Sequence, residues 1–187
     1  MKQLIKALIT LILFFSGVET YAQQTVSTPG FRREFLAYIN NTRQKGCSCG
    51  ITYMPAAPPL VWNDQLEIAA IGHAQDMARQ NYFSHTSLDG RTMQDRIRMA
   101  GYIYNGFKSY AIGENIAEGQ MTITEVMQGW FHSPGHCKNL MNPAFKEIGV
   151  AVFNNYWVQD FGGREAFSAD VQKMIKSGKY KLIEGRQ

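Results

Sequence analysis

Four side chains beside structure-breaking residues carry the chemistry that this sequence offers. They are His85 in FSHTSLDG, Glu114 in AIGENIAEG, and Ser133 and His136 in HSPGHC. Two neutral imidazoles and a carboxylate make a ligand set for zinc with one position left open. The same three groups can instead exchange protons as general acid and base. The metal ligands expected on this reading are His85 and His136, with Glu114 as a third. Glu114 lies between Gly113 and Asn115, which reads as a tight turn holding the carboxylate in place. His136 follows Pro134-Gly135, which reads as the end of a helix presenting the imidazole from a turn. No H-E-x-x-H and no dinucleotide or phosphate-cradling fingerprint occurs.

Other polar residues invite plainer readings. His73 lies on the apolar stripe of a helical segment and reads as a core histidine with one buried hydrogen bond. His132 precedes Ser133 and is left out of the site. Trp62, Trp130 and Trp157 read as core, each needing one partner for its N–H. Ser84 and Ser87 read as braces of a turn. The three cysteines are Cys47, Cys49 and Cys137. A bridge inside Cys47-Ser48-Cys49 closes a very small, strained ring, so a long-range bridge to Cys137 is the better reading. Metal ligation is the alternative, but C-x-C with one distant cysteine lacks zinc-ribbon spacing.

The elements that must position these groups follow from periodicity. FRREFLAYINNTRQK places Phe31, Phe35, Tyr38 and Ile39 on one helical face. GCSCGITYMPAAPPL, rich in Gly and Pro, reads as loop. DQLEIAAIGHAQDMARQ is a second helix, with Asp64 and Glu67 in capping-box spacing. RTMQDRIRMAG is a short helix stopped by Gly101, and TITEVMQGWFHS is a fourth, capped by Thr122 with Glu125 three residues on. The stretch from Tyr102 to Met121 reads as irregular. EIGVAVF and YWVQDFG read as strands joined at Asn154-Asn155. Helices that precede strands point to an α+β fold.

The chain opens with Lys2, Lys6 and an apolar run from Ala7 to Val18, then Thr20-Tyr21-Ala22. This is the layout of a secretory signal peptide over residues 1–22, too short and wrongly flanked for a spanning helix. A flexible lead over residues 23–30, a domain over 31–163 and a polar extension over 164–187 with a short helix are expected. What remains after cleavage suits one core. The formal charge of +4 on 187 residues is mild and scattered, and no basic helix interleaves with aromatics, which argues against nucleic acid. Secretion, no later membrane span and a monomer are expected.

Taken together, FSHTSLDGRT, AIGENIAEGQ, VMQGWFHSPGHCKNLMNPAFKEIGVAVF and YWVQDFG stand in an order that resembles the bacterial branch of the CAP superfamily. That superfamily includes cysteine-rich secretory proteins, antigen 5 and plant pathogenesis-related-1 proteins, and its domain is also called SCP. The likeness runs from about Phe31 to Gly162. It implies an α-β-α sandwich with a small, mostly antiparallel sheet between helical layers, which leaves room for one or more further strands within residues 102–116. It also implies a cleft built on a His-Glu-Glu-His tetrad, in which His85, Glu114 and His136 match three members. Ser133 stands where the second Glu is found, after Trp130. The resemblance further implies a bridge between Cys49 and Cys137, leaving Cys47 as the spare thiol.

Ser133 leaves the tetrad one carboxylate short, so ligand binding is expected rather than catalysis. The ligand classes are a lipid, a cell-wall component, another protein or a divalent metal; no cofactor is required, although zinc can be held. The alternatives are a metal-assisted hydrolase or peptidase using the same cleft, and a structural extracellular domain with a vestigial cleft.

Overall fold

The computed structural model describes residues 27–181 apart from residue 105, so the signal peptide reading over 1–22 lies outside the described residues. Helix α1 (Pro29–Lys45) opens the domain, capped by the Thr28 side chain on Phe31 N–H with Pro29 in the first turn. It therefore starts two residues before the expected boundary at Phe31. Strands β1 (Cys47–Cys49) and β2 (Thr52–Met54) pair antiparallel in a small hairpin, where the Gly- and Pro-rich sequence reads as loop. Strand β3 (Val61–Trp62) and helix α2 (Asp64–Gln80) follow. The cap of α2 is Asn63, which accepts from Gln65 and Leu66 N–H; the expected Asp64–Glu67 box is not formed. Glu67 is instead buried and taken by Arg32 and the Trp62 indole N–H.

Helix α3 (Met93–Met99) carries a Thr92–Asp95 capping box. Strand β4 (Phe107–Glu118) replaces most of the stretch that reads as irregular. Gly113 at its centre does not mark a turn. A Cβ on Gly113 would lie 2.6 Å from the Phe145 ring, so the residue is small because a neighbour fills its side-chain space, not because the chain turns. Helix α4 (Ile123–His132) has the expected Thr122–Glu125 box. Helix α5 (Pro134–Met141) then begins at once. Strands β5 (Glu147–Phe153) and β6 (Tyr156–Ala166) close the hairpin at Asn154 and Asn155, both left-handed with φ of 48° and 63°, as a two-residue primed turn requires. Strand β6 thus runs past the expected domain boundary at 163. Helix α6 (Ala169–Lys176) is the short helix of the extension.

The main sheet has the order β3-β5-β6-β4, antiparallel except for the parallel β3–β5 pair. Alternation along its strands splits the core into two layers. On one face Ile148, Val150, Trp157 and Phe161 pack with Phe35 and Ile39 of α1, Val126, Met127 and Trp130 of α4, and Leu140 of α5. On the other, Ala151, Val158 and Ile116 meet Ala70, Ala74 and Met77 of α2. The result is the expected α-β-α sandwich. Gly149 sets how closely α2 approaches: a Cβ there would lie 2.0 Å from the Glu67 backbone nitrogen. The three indoles behave as expected, with partners on Glu67, Ile116 O and Gln120 O. Among the described residues, no helix is long and apolar enough to cross a membrane.

At the open end of the sheet, Glu147 accepts from Arg164, Tyr102 and Asn63. Burial, the largest single influence, pushes its carboxyl upward, but these donors together outweigh it and hold the carboxyl below its usual value. A depressed folded-state value contributes stability that is present above the unfolded value, near pH 4.3, and lost as pH falls through the folded one. Thermal melts of wild type and Glu147→Gln are expected to differ most near pH 7. The gap should close below about pH 4; a gap that is constant with pH would contradict the assignment.

Candidate functional site

Glu114 lies in the middle of β4, on the face that looks toward α2 and α3, and its side chain is only 1% exposed. It is therefore not in a tight turn: the pleat, not a turn, aims it inward. Its two oxygens are both engaged. Oε1 lies 2.8 Å from His85 Nδ1, and Oε2 accepts from Arg96 Nη2 at 2.7 Å. Arg96 also donates to the backbone carbonyls of His85 and Arg91, and to Ser87 Oγ. It thus straps the loop after α2 onto β4. Ser84 accepts from Thr86 N–H, and Ser87 N–H bonds to Arg91 O, so both serines brace the turn as expected.

The consequence falls on His85, whose side chain is 57% exposed. With Nδ1 fixed on a buried carboxylate, the imidazole presents Nε2 outward. This is the arrangement in which a carboxylate orients a histidine that uses its other nitrogen. Glu114 is therefore an orienting group behind the histidine rather than an open ligand at the surface.

His136 sits in the first turn of α5. Its expected turn is a helix instead, because Pro134 suits the first helical position, where its missing N–H costs nothing. Ser133 is the hinge, ending α4 and starting α5, and makes no side-chain cap bond. Burial, then the neighbouring His85, hold the His136 imidazole below its usual value and favour the neutral ring. His132 points elsewhere, bonding Gln128 O one turn back.

His85, Ser133 and His136 line one cleft of about 530 Å³, whose wall includes Phe83, Ile116 and Trp130. The structure thus brings three of the four expected residues to one surface and sets the fourth, Glu114, beneath it. Two imidazoles can supply two of the four ligands that zinc prefers, with solvent filling the rest. Among the described residues, the trio of ligand atoms all lying within 4.8 Å of one another is Cys47, Cys49 and Cys137. Two of these sulfurs are consumed by the Cys49–Cys137 disulfide, which leaves Cys47 free.

Several supporting residues are not legible as a site from the sequence. Asp160 of β6 stands opposite Glu114 in the register and is 1% exposed. As a carboxylate, neither of its oxygens would have a donor. Burial, then the charge of Glu114, push its carboxyl well above the usual range. On the opposite face, Asn115 donates to Gln159 Oε1 and to His136 O, and Asn139 donates to Asn115 Oδ1. This chain fixes α5 to the sheet. A signal exists: Asn115, Gln159 and Asp160 are polar residues inside otherwise apolar strands. His73 fills its expected role, with Nε2 donating to Ser84 O and the ring fully buried.

A model of the cysteine-rich secretory protein family, CAP, matches residues 36–161. YkwD of Bacillus subtilis is 33% identical over 151 residues, which is 80% of this chain and 52% of YkwD. An extracellular protein of Bacillus anthracis containing an SCP domain superposes with a TM-score of 0.53 at 30% identity, covering 74% of this chain and 44% of that one. An outer surface protein of Borrelia burgdorferi superposes with a TM-score of 0.60 at 24% identity, covering 76% of this chain and 99% of that one, and shares the fold. The chain spans about half the length of YkwD.

Proposed function

The chain belongs to the CAP family of cysteine-rich secretory proteins, and from that premise we propose that it is an exported protein whose cleft binds a ligand with an apolar body and a polar end. One observation carries the reading. Glu114, buried and paired with Arg96, holds His85 by Nδ1 so that Nε2 faces outward at the mouth of an apolar-walled cleft. Apolar wall and few fixed polar groups are the usual make-up of a small-molecule site. The extracellular and outer-surface descriptions of the Bacillus anthracis and Borrelia burgdorferi neighbours support export, as does the leader-like start of the sequence.

His85 Nε2 and His136 would hold a divalent metal, which would supply a Lewis-acidic anchor for the ligand's polar end. Hydrolysis is the weaker reading for a chemical reason. Ser133 offers no carboxylate, Glu114 has both oxygens engaged, and Glu118 in the cleft wall pairs with Tyr156. None is free to act as general base beside the histidines.

Gly129 lines the cleft, and a Cβ there meets nothing within 4 Å. Gly129→Trp should therefore fill the cleft while leaving the fold intact. Wild type is expected to bind at least one member of a panel of lipid vesicles and cell-wall fragments, followed by tryptophan fluorescence or co-sedimentation. Gly129→Trp should lose that binding by about tenfold or more, since a blocked pocket cannot bury the ligand. Equal binding by both proteins would move the site elsewhere.

A further inference from the structure

The free thiol of Cys47 stands against the disulfide. Its sulfur lies 3.8 Å from Cys137 Sγ. Cys47 and Cys49 are two apart on β1, so both point to the same side of the strand, toward α5. The two bridged cysteines are 1% and 0% exposed, whereas Cys47 is partly open to solvent. A dissolved thiol or disulfide can therefore reach Cys47 but not the bridge behind it.

We propose that Cys47 is a relay sulfur through which the buried Cys49–Cys137 bridge is opened and closed by thiol–disulfide exchange with an external partner of the small-disulfide class. In the closing direction, the Cys47 thiolate attacks a disulfide RSSR, forming Cys47–S–S–R and releasing RS⁻. The Cys137 thiolate then attacks Cys47 Sγ, releasing the second RS⁻ and leaving a Cys47–Cys137 bridge. The Cys49 thiolate attacks Cys137 Sγ and expels the Cys47 thiolate. The protein dithiol is oxidised by two electrons, RSSR is reduced, and the protons of Cys49 and Cys137 end on two RSH. The opening direction runs the same steps backward, with Cys47 first taking over Cys137 and so bringing the bridge to the surface. Each step is a thiolate attack on an adjacent sulfur, and the intramolecular ones gain from high effective concentration. Burial pushes the Cys47 thiol up, so the thiolate is scarce at neutral pH and the exchange is read over minutes to hours.

The test is reduction of the folded, oxidised protein by reduced glutathione, with acid quenching, alkylation and mass mapping. Cys47→Ser keeps the bridge and so folds. Its bridge is expected to be reduced on the order of tenfold more slowly than that of wild type, because the buried sulfurs then have no exposed intermediary. A second variant, Cys49→Ser, is expected to form a Cys47–Cys137 bridge and to show no alkylatable thiol. Equal reduction rates in wild type and Cys47→Ser, or two free thiols in Cys49→Ser, would overturn the relay.

Discussion

Replacing Arg43 with methionine is expected to destabilise the protein by about 3–5 kcal/mol, the range for stripping a buried charge from its partners. Arg43 is fully buried in the last turn of α1. Its guanidinium donates to four backbone carbonyls, those of Pro58, Leu140, Asn142 and Phe145. One side chain thus ties α1 to the loop before β3, to the end of α5 and to the segment leading into β5. Burial lowers its pKa to about 10, which still leaves it charged at neutral pH. Methionine fills much of the volume but takes the side-chain donor from all four carbonyls, of which Asn142 O keeps a backbone donor, Phe145 N–H, and it is that loss that sets the magnitude. Lysine should recover less than half of it, because an ammonium cannot span the planar fork of acceptors. Urea unfolding with an unchanged m-value reads the difference directly. A methionine variant within about 1 kcal/mol of wild type would show that the carbonyls find water or one another instead.

The second large effect is expected from Cys137→Ser, which removes both the observed bridge and its Cys47 alternative. The Cys49–Cys137 bridge spans 88 residues. Closing a loop of that length removes unfolded-state entropy equivalent to roughly 4–5 kcal/mol in the chain-entropy model. For a domain of this size that is a fall in Tm of roughly 10–15 °C. Wild type in reductant should approach the same Tm. A variant melting within a few degrees of oxidised wild type would mean that the β1–β2 hairpin holds its place on α5 without the tether.

Both effects bear on how the sequence can be read. The bridge was legible through the family resemblance alone, since C-x-C leaves the choice of partner open. Arg43 was not, although its position follows Phe35 and Ile39 at four-residue spacing on the buried face of α1. An arginine in an apolar stripe is a signal only once the carbonyls it meets are known, and three of those four lie about 100 residues away. The local elements were legible where side chain and backbone agree. The Thr122–Glu125 box and the Asn154-Asn155 turn are decided by neighbours in sequence, and both stand as read. Strand β4 falls largely within residues 102–116, where the resemblance leaves room for a strand, but its course is not legible from the residues because packing against Phe145, not a turn, demands Gly113. Pro134-Gly135 looks like a stop and points His136 to a turn, whereas proline at a helix start is favourable and α5 begins there.

The candidate site divides in the same way. His85, Ser133 and His136 reach one cleft, as their types and motifs suggest. Arg96, which holds Glu114 and the His85 backbone, and Asp160, which stands opposite Glu114, are not legible as part of a site. Their partnership with Glu114 depends on the β4–β6 register and on where α3 packs, which are properties of the assembled sheet. The motifs name the surface groups and Glu114, and the fold supplies the guanidinium behind them.

The most direct test of the cleft is a zinc titration of the protein by calorimetry beside the His85→Ala/His136→Ala variant. Saturable binding in wild type is expected, with none in the variant, whose circular dichroism and melting curve should match wild type. Absence of binding to wild type, or equal binding by the variant, would contradict the assignment of these two imidazoles as the polar anchor of the cleft.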